Sequence, residues 1–551
     1  RHVDFAGIGA ITVGLTALVL ALVEGNTWHW GSARVIVLLA VAAVHEAFIS
    51  ALSTGLDDRR RGGDRRRGAG LAARAAPPGW RQRARRRDRA IDPGRGSRAA
   101  GPRAPSWWDR SASTEVLYSC RNPFGTDQRG ISVALERPLQ VASVDTEPGE
   151  LPETMAAWVI RPEREGEPSD AFQLEEIEVP QPGAFEVIVR VMAAGVNYNN
   201  VWAALGQPVS VFGYGDHPQY GHHIGGSDAS GIVWKVGEGV TRWKPGDEVI
   251  IHCNQASYED PEVHGLDPLA APSQRIWGYE TTWGSFAQFT KVQAQQLLPR
   301  PRNLTWEEAA SYGLVYFTAY RMLITQCDLQ AGNRVLIWGA AGGLGVFATQ
   351  LCAAAGAECV GVVSSPAKGE LVKQLGAVGY IDRIEFAGMM RRGGETAEEE
   401  KARFRESRRF TKALNEILGG PPDIVFEHVG RATFPTSVLA VKPFGKVVIC
   451  AGTTGYNLDF DVRYLWMRQK QIIGSHFANA YECMKANELI EQSKIRPVLW
   501  RTMGFEGVPE AHQLMKDNKH LGKISILVGA TEEGRGKTEE GPGAIRAEVG
   551  A

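Results

Sequence analysis

The chain has 551 residues, enough for two or more domains, and a formal net charge of -1 that gives no general reason to expect nucleic acid as a partner. Its seven cysteines (Cys120, Cys253, Cys327, Cys352, Cys359, Cys450 and Cys483) show no C-x-x-C pair and no regular spacing. That argues against a disulfide framework and a structural zinc, and it fits a reducing cytoplasm.

In chain order, the run from Ala6 to Val23 carries no charge and is just long enough to be a transmembrane candidate, whereas Val35 to Leu52 is interrupted by His45 and Glu46. No small-residue cleavage site closes the first run and more hydrophobic sequence follows it, which argues against a signal peptide. The stretch DFAGIGAITVGLTALVLALVEG resembles part of a drug exporter of the major facilitator type. From Arg59 to Arg110 the chain is crowded with Arg, Gly, Ala and Pro, including RRRGGDRRR and RQRARRRDR, with too little apolar content for a core. The expected division is a hydrophobic segment over 1–52, an Arg-rich disordered linker over 53–110 and an N-terminal extension over 111–154. Residues 1–110 read as a gene-fusion or gene-model remnant, with a genuine membrane anchor as the alternative.

From Met155 the texture becomes that of a compact α/β enzyme. MAAWVI, FQLEEIEVP and EVIVRVMAAGVN read as short strands separated by Pro and Gly turns. SDASGIVWKVGEGV and WKPGDEVIIHC continue the pattern, with Pro245-Gly246-Asp247 as a turn between strands, and an antiparallel, barrel-like domain is expected over 155–325. A helix starts at Thr305, with Glu308 at capping-box spacing.

The run VLIWGAAGGLG (Val335 to Gly345) is an apolar strand entering a glycine-rich turn, followed by a helical stretch and a second strand from Glu358 to Ser364. In Ala340-x-Gly342-x-x-Gly345, Ala replaces the first glycine of a dinucleotide fingerprint, Gly342 lets backbone approach the pyrophosphate and Gly345 lets helix pack on strand. Gly339, Gly343 and Leu344 complete the loop over which a diphosphate would lie at a helix N-terminus. NAD would call for an acid about twenty residues further on. The chain offers Ser364, Ser365 and Lys368 instead, which suits a 2′-phosphate and therefore NADPH. A Rossmann domain is expected over 326–480, a closing part of the first domain over 481–530 and a disordered tail over 531–551. The charged insertion between Ile384 and Phe410 reads as a solvated helical surface.

This order resembles the medium-chain dehydrogenase/reductase superfamily: α/β, a GroES-like barrel-type domain plus a Rossmann doubly wound parallel sheet. Zinc-dependent alcohol dehydrogenases of that superfamily need a Cys just after the strand occupied here by VRVMAAGV, where Asn197, Tyr198 and Asn199 stand. Gly225 and Ser227 occupy places where an acid would be expected, and His222 and His223 form a pair without a third ligand, so no metal is expected. Hydride transfer without a Lewis acid favours reduction of a conjugated double bond over alcohol–ketone exchange.

The blocks GVNYNNVW, GSDASGIVWKVG, QRIWGYETTWGSFAQF, LTWEEAA, DIVFEHVG and RYLWMRQKQIIGSHFAN narrow the resemblance to the crotonyl-CoA carboxylase/reductases, over roughly Met155 to Val528. The resemblance implies that NADPH delivers hydride to the β-carbon of an enoyl-CoA thioester and that the resulting α-carbanion attacks CO2. It assigns the CO2 surroundings to Asn199, Tyr279, Glu280 and His476, and contacts near nicotinamide or ribose to Thr318, Gly452, Thr453 and Thr454. Tyr279 is a departure, since some members carry Phe there, and its hydroxyl could compete as a proton donor. Tyr316 and Phe317 are expected to add bulk beside the nicotinamide, and Arg463, Arg468 and Lys470 are candidates for the CoA phosphates. A cytoplasmic homotetramer is expected, with no nucleic acid and no membrane for the catalytic part. Three alternatives stay open: an enoyl-CoA reductase that only protonates the α-carbon, an NADPH-binding protein or quinone reductase of the zeta-crystallin type, and a membrane-tethered enzyme.

Overall fold

The computed structural model describes residues 146–547, so the expectations for the hydrophobic segment, the Arg-rich linker, most of the N-terminal extension and Cys120 lie outside the described residues. No helix among the described residues is long and apolar enough to cross a membrane.

Val187, Ile188, Val189 and Val191 bury both faces of the strand Glu186–Gly195, which therefore becomes the axis of the first sheet. Ala229–Val236 pairs antiparallel along one side of it, and Phe289–Gln293 and Lys523–Leu527 share the other. The turn at Gly246 stands between Ala229–Val236 and Glu248–Ile251, as expected, with the Lys244 amide donating to the Asp247 carboxylate at 3.0 Å. The sheet is not purely antiparallel, however. Val498–Met503 runs parallel to Lys523–Leu527, and Ile545–Arg546 parallel to Val498–Met503, because the C-terminal part returns to this domain through a helix, Val508–Lys516.

The second sheet has six parallel strands: Arg334–Ile337, Glu358–Val363, Gly379–Asp382, Ile424–Glu427, Lys446–Ile449 and Gln471–Gly474. Numbered along the chain, their spatial order is 3-2-1-4-5-6, the doubly wound dinucleotide-binding order. Period-two alternation assigns the faces. Val335 and Ile337 pack with Phe347 and Leu351 of the helix Gly343–Ala354, while Leu336 and Trp338 face a separate core containing Phe410 and Leu414.

Two expectations need correction. The charged insertion forms the helix Ala397–Leu418, opened by a Thr396/Glu399 capping box, and it is solvated on one side only. Arg403, Ser407, Phe410, Leu414 and Leu418 recur at helical spacing and are buried, and Phe410 stacks on Trp338 at 5.2 Å. The described residues after 530, expected to be disordered, pack on the first domain. Their polar backbone finds partners there: Gly534 N–H donates to Glu307 at 3.0 Å, Ala544 N–H to Glu308 at 3.0 Å, and the Gly536 carbonyl accepts from Arg300 at 2.5 Å.

Candidate active site

Between the two large sheets lies a cleft of about 600 Å³. Its nucleotide end is made by the backbone leaving Ile337. Gly345 lies so close beneath the turn that a Cβ there would stand 2.5 Å from Ala340 Cα, which keeps the helix against the strand. Gly339, Gly342, Gly343 and Leu344 line the cleft, whereas Ala340 is fully buried below it. At the ends of the next strands, Ser364 and Lys368 line the same cavity. Ser365 does not; its hydroxyl caps the helix Pro366–Gln374 by accepting from the Lys368 amide at 3.4 Å. Thr318, Thr453 and Thr454 line the cleft, and Gly452 is not among its lining residues.

Sequence reasoning missed Arg383, Asn518 and His520, which join Lys368 and Ser364 in the lining. Arg383 follows the third strand of the sheet, and strand ends gather at one edge in this topology, so its place was readable in principle. Among the described residues the lining contains Lys368 and Arg383 at this end and no Asp or Glu, an environment for polyanionic ligands. Burial and nearby Arg383 push the Lys368 ammonium below its ordinary pKa, which a phosphate would reverse. The donor set fits an NADPH 2′-phosphate.

The opposite end is assembled from side chains. After Gly195 the backbone is extended through Asn197, and the helix Tyr198–Leu205 begins. Asn197 does not cap that helix with its side chain. Its Nδ2 donates to Asp228 at 2.8 Å, and its Oδ1 accepts from Lys523 Nζ at 2.5 Å. Lys523 also donates to the Val196 carbonyl at 2.8 Å and to Asp228 at 3.1 Å, so its three protons are all used. Both charges are about 1% exposed; burial pushes the Asp228 carboxyl up and the Lys523 ammonium down, each offset by the other. The sequence hint was a charge opening a short strand, KISIL, that is otherwise uncharged and mostly apolar.

Asn199, in the first turn of the helix, donates from Nδ2 to Ser227 Oγ at 2.8 Å and accepts from Asn200 Nδ2 at 3.0 Å. One N–H and one lone pair remain for a ligand. Tyr279 and His476 line the same cavity as Asn199. Glu280 does not; its carboxylate accepts from the Ile276 amide at 2.8 Å, and its charge still acts on His476. Desolvation lowers the His476 pKa below the ordinary 6.5, partly offset by the Glu280 carboxylate, so the imidazole is neutral at neutral pH. Beside it Phe477 holds a left-handed backbone, φ 45°, and is buried against His252 and Phe317.

Tyr316 and Phe317 do not crowd the cleft as expected. Helical spacing sends Leu314, Val315 and Thr318 toward the cavity and turns Tyr316 back, its hydroxyl donating to the Ala486 carbonyl at 3.0 Å. Arg463, Arg468 and Lys470 also lie outside the lining: Arg463 pairs with Asp461 at 2.6 Å, and Lys470 donates to the Val438 carbonyl at 2.7 Å. His222 and His223 diverge, since His223 Nδ1 meets His217 Nε2 at 2.8 Å while His222 Nδ1 is 3.1 Å from the Tyr220 carbonyl. The donors at this end therefore do not fit a zinc ion.

The Alcohol dehydrogenase GroES-like domain model matches residues 183–302, and the Zinc-binding dehydrogenase model matches 343–492. The chain is 51% identical over 391 residues to a crotonyl-CoA carboxylase/reductase of Cereibacter sphaeroides, covering 70% of this chain and 90% of that one. It is 43% identical to a crotonyl-CoA reductase of Streptomyces collinus, with 68% and 85% covered. Among solved structures, a 2-octenoyl-CoA carboxylase reductase in complex with NADP and 2-octenoyl-CoA superposes with a TM-score of 0.67 at 38% identity, covering 71% of this chain and 91% of that one.

Proposed function

The chain belongs to the crotonyl-CoA carboxylase/reductases of the medium-chain dehydrogenase/reductase superfamily, and from that membership we propose that it reduces and carboxylates an enoyl-CoA, converting crotonyl-CoA and CO2 to ethylmalonyl-CoA. NADPH, when bound, supplies the hydride to the β-carbon. Ser364, Lys368 and Arg383 hold its 2′-phosphate, the turn at Gly342 and Gly343 receives the pyrophosphate, and Thr318 and Thr453 flank the nicotinamide and ribose.

At the other end, Asn199 offers its remaining N–H to one CO2 oxygen, its amide already oriented by Ser227 and Asn200. His476, neutral and therefore a single donor, offers an N–H to the other oxygen. Glu280 orders that imidazole, and Tyr279 walls the pocket. Donors held in place before reaction stabilise the charge that develops on the new carboxylate without reorganising. Trp202, Ile276, Leu314 and Phe477 supply apolar wall, which matters because water admitted beside the carbanion would protonate it.

The observation that carries this reading is the convergence of Asn199, Tyr279 and His476 on the cavity that the glycine turn also lines. The test is NADPH oxidation with crotonyl-CoA, with and without ¹³C-bicarbonate, followed by mass spectrometry of the acyl-CoA products. Labelled ethylmalonyl-CoA is expected; butyryl-CoA alone would leave only the reductase. That second reading has one observation in its favour, a phenolic hydroxyl at Tyr279 in the cleft wall.

A further inference from the structure

The helix Val508–Lys516 is stopped by Asn518, whose backbone is left-handed at φ 56°. The Asn518 amide donates to the Met515 carbonyl at 3.1 Å and the Lys519 amide to the Leu514 carbonyl at 2.9 Å, the paired bonds of a Schellman stop. The chain then crosses to the glycine turn. The Gly522 amide donates to the Ala341 carbonyl at 3.0 Å, Gly522 is bridged to Gly342, and a Cβ on Gly343 would stand 3.2 Å from Lys523 Cδ. The segment from Asn518 to Lys523 leads into a strand of the first domain's sheet, yet it is docked on the turn that receives the pyrophosphate.

His520 stands two residues before Gly522, at most about 7 Å from it along the chain, and its side chain lines the same cavity. Its Nδ1 is buried without a hydrogen-bond partner, and no hydrogen bond among the described residues engages its Nε2. A buried N–H left unpaired is the costlier orphan, so the ring's proton belongs on Nε2, the nitrogen that is not buried. Burial and the ammonium groups of Lys368 and Lys523 hold this imidazole at about 4, so at neutral pH it is neutral and has one N–H to give. Lys523 cannot take that role itself, because its protons go to Val196, Asn197 and Asp228.

We propose that His520 is a cofactor-binding residue supplied by the first domain, its Nε2–H donating to a pyrophosphate oxygen of NADPH received at the Gly342 and Gly343 turn. This rests on the NADPH site of the reading above and is independent of carboxylation. The contact ties the cofactor to the opposite wall of the cleft. The same short segment holds Asn197 through Lys523, two residues before Asn199, so cofactor and carboxylation end share one stretch of backbone.

The experiment measures NADPH affinity by fluorescence titration in the wild type, His520→Ala and His520→Gln. Adenosine 2′-monophosphate, which has the 2′-phosphate and no pyrophosphate, is titrated into each by calorimetry. His520→Ala is expected to weaken NADPH about tenfold, the worth of a hydrogen bond to a charged group, and to leave adenosine 2′-monophosphate within about twofold. His520→Gln, which keeps an N–H near the place of Nε2, should recover most of the loss. Unchanged NADPH affinity in His520→Ala overturns the proposal, and so does a parallel loss for adenosine 2′-monophosphate or a glutamine variant as weak as the alanine one. A wild-type chain that binds no NADPH would sink the cofactor reading itself, a result visible before any variant is made.

Discussion

The two ends of the cleft are built from different materials. The nucleotide end is mostly backbone, supplied by one stretch from Gly339 to Gly345 and completed by the ends of neighbouring parallel strands. The carboxylation end is side chains from distant segments: Asn199 on a helix, Ser227 before a strand, Tyr279 in a loop and His476 after the edge strand of the other sheet. A backbone site tolerates changes of side chain and fails when room is taken from it. A side-chain site fails one hydrogen bond at a time.

Lys523 joins the two, and breaking it should produce the largest effect. Gly522 is bridged to Gly342, and Lys523 itself holds Asn197 and Asp228. Lys523→Met leaves Asp228 buried without its counter-charge, an expected loss of about 3–5 kcal/mol in unfolding free energy, measurable by urea titration. Lys523→Met combined with Asp228→Leu should recover part of it.

Acid attacks the carboxylation end next. His252, which stacks on Phe477 beside His476, is held at about 4 by burial. Because this folded value lies below the ordinary 6.5, the unfolded chain binds the proton first. The contribution is complete above pH 6.5 and is lost as pH falls toward about 4, amounting to about 3 kcal/mol. His512, also fully buried and at about 4, adds a loss of the same sign. Unfolding midpoints across that range check both, and His252→Gln should flatten the dependence.

Two further variants separate the ends by what they do to products. Gly345→Val takes room from the glycine turn, and overpacking of about 1–3 kcal/mol should weaken NADPH binding roughly tenfold or more, with reduction and carboxylation falling together. Fluorescence titration of NADPH and product ratios check this. Asn199→Ala should act in the opposite manner, lowering the carboxylated share about fivefold with a smaller change in NADPH affinity. If Asn199→Ala instead weakens NADPH as much as Gly345→Val does, the division of the cleft into two ends is wrong.

These differences track what could be read along the chain. The glycine turn, the flanking strands and the cofactor choice at Ser364 and Lys368 were legible because their residues are contiguous and their spacing answers to one local geometry. The expected grouping of Asn199, Tyr279 and His476 rested on resemblance, since residues so far apart carry no local pattern of their own. Only the folded chain decided that Glu280 stays out of the cleft lining, that Tyr316 turns away from the cleft, that the segment after 530 packs on the first domain, and that Arg383 and His520 share the nucleotide end. Each of these depends on which strand lies beside which and on which side of a helix is covered. Periodicity along one segment sets its own faces, but the partner that meets each face is supplied by chain hundreds of residues away, as Lys523 is for Asn197.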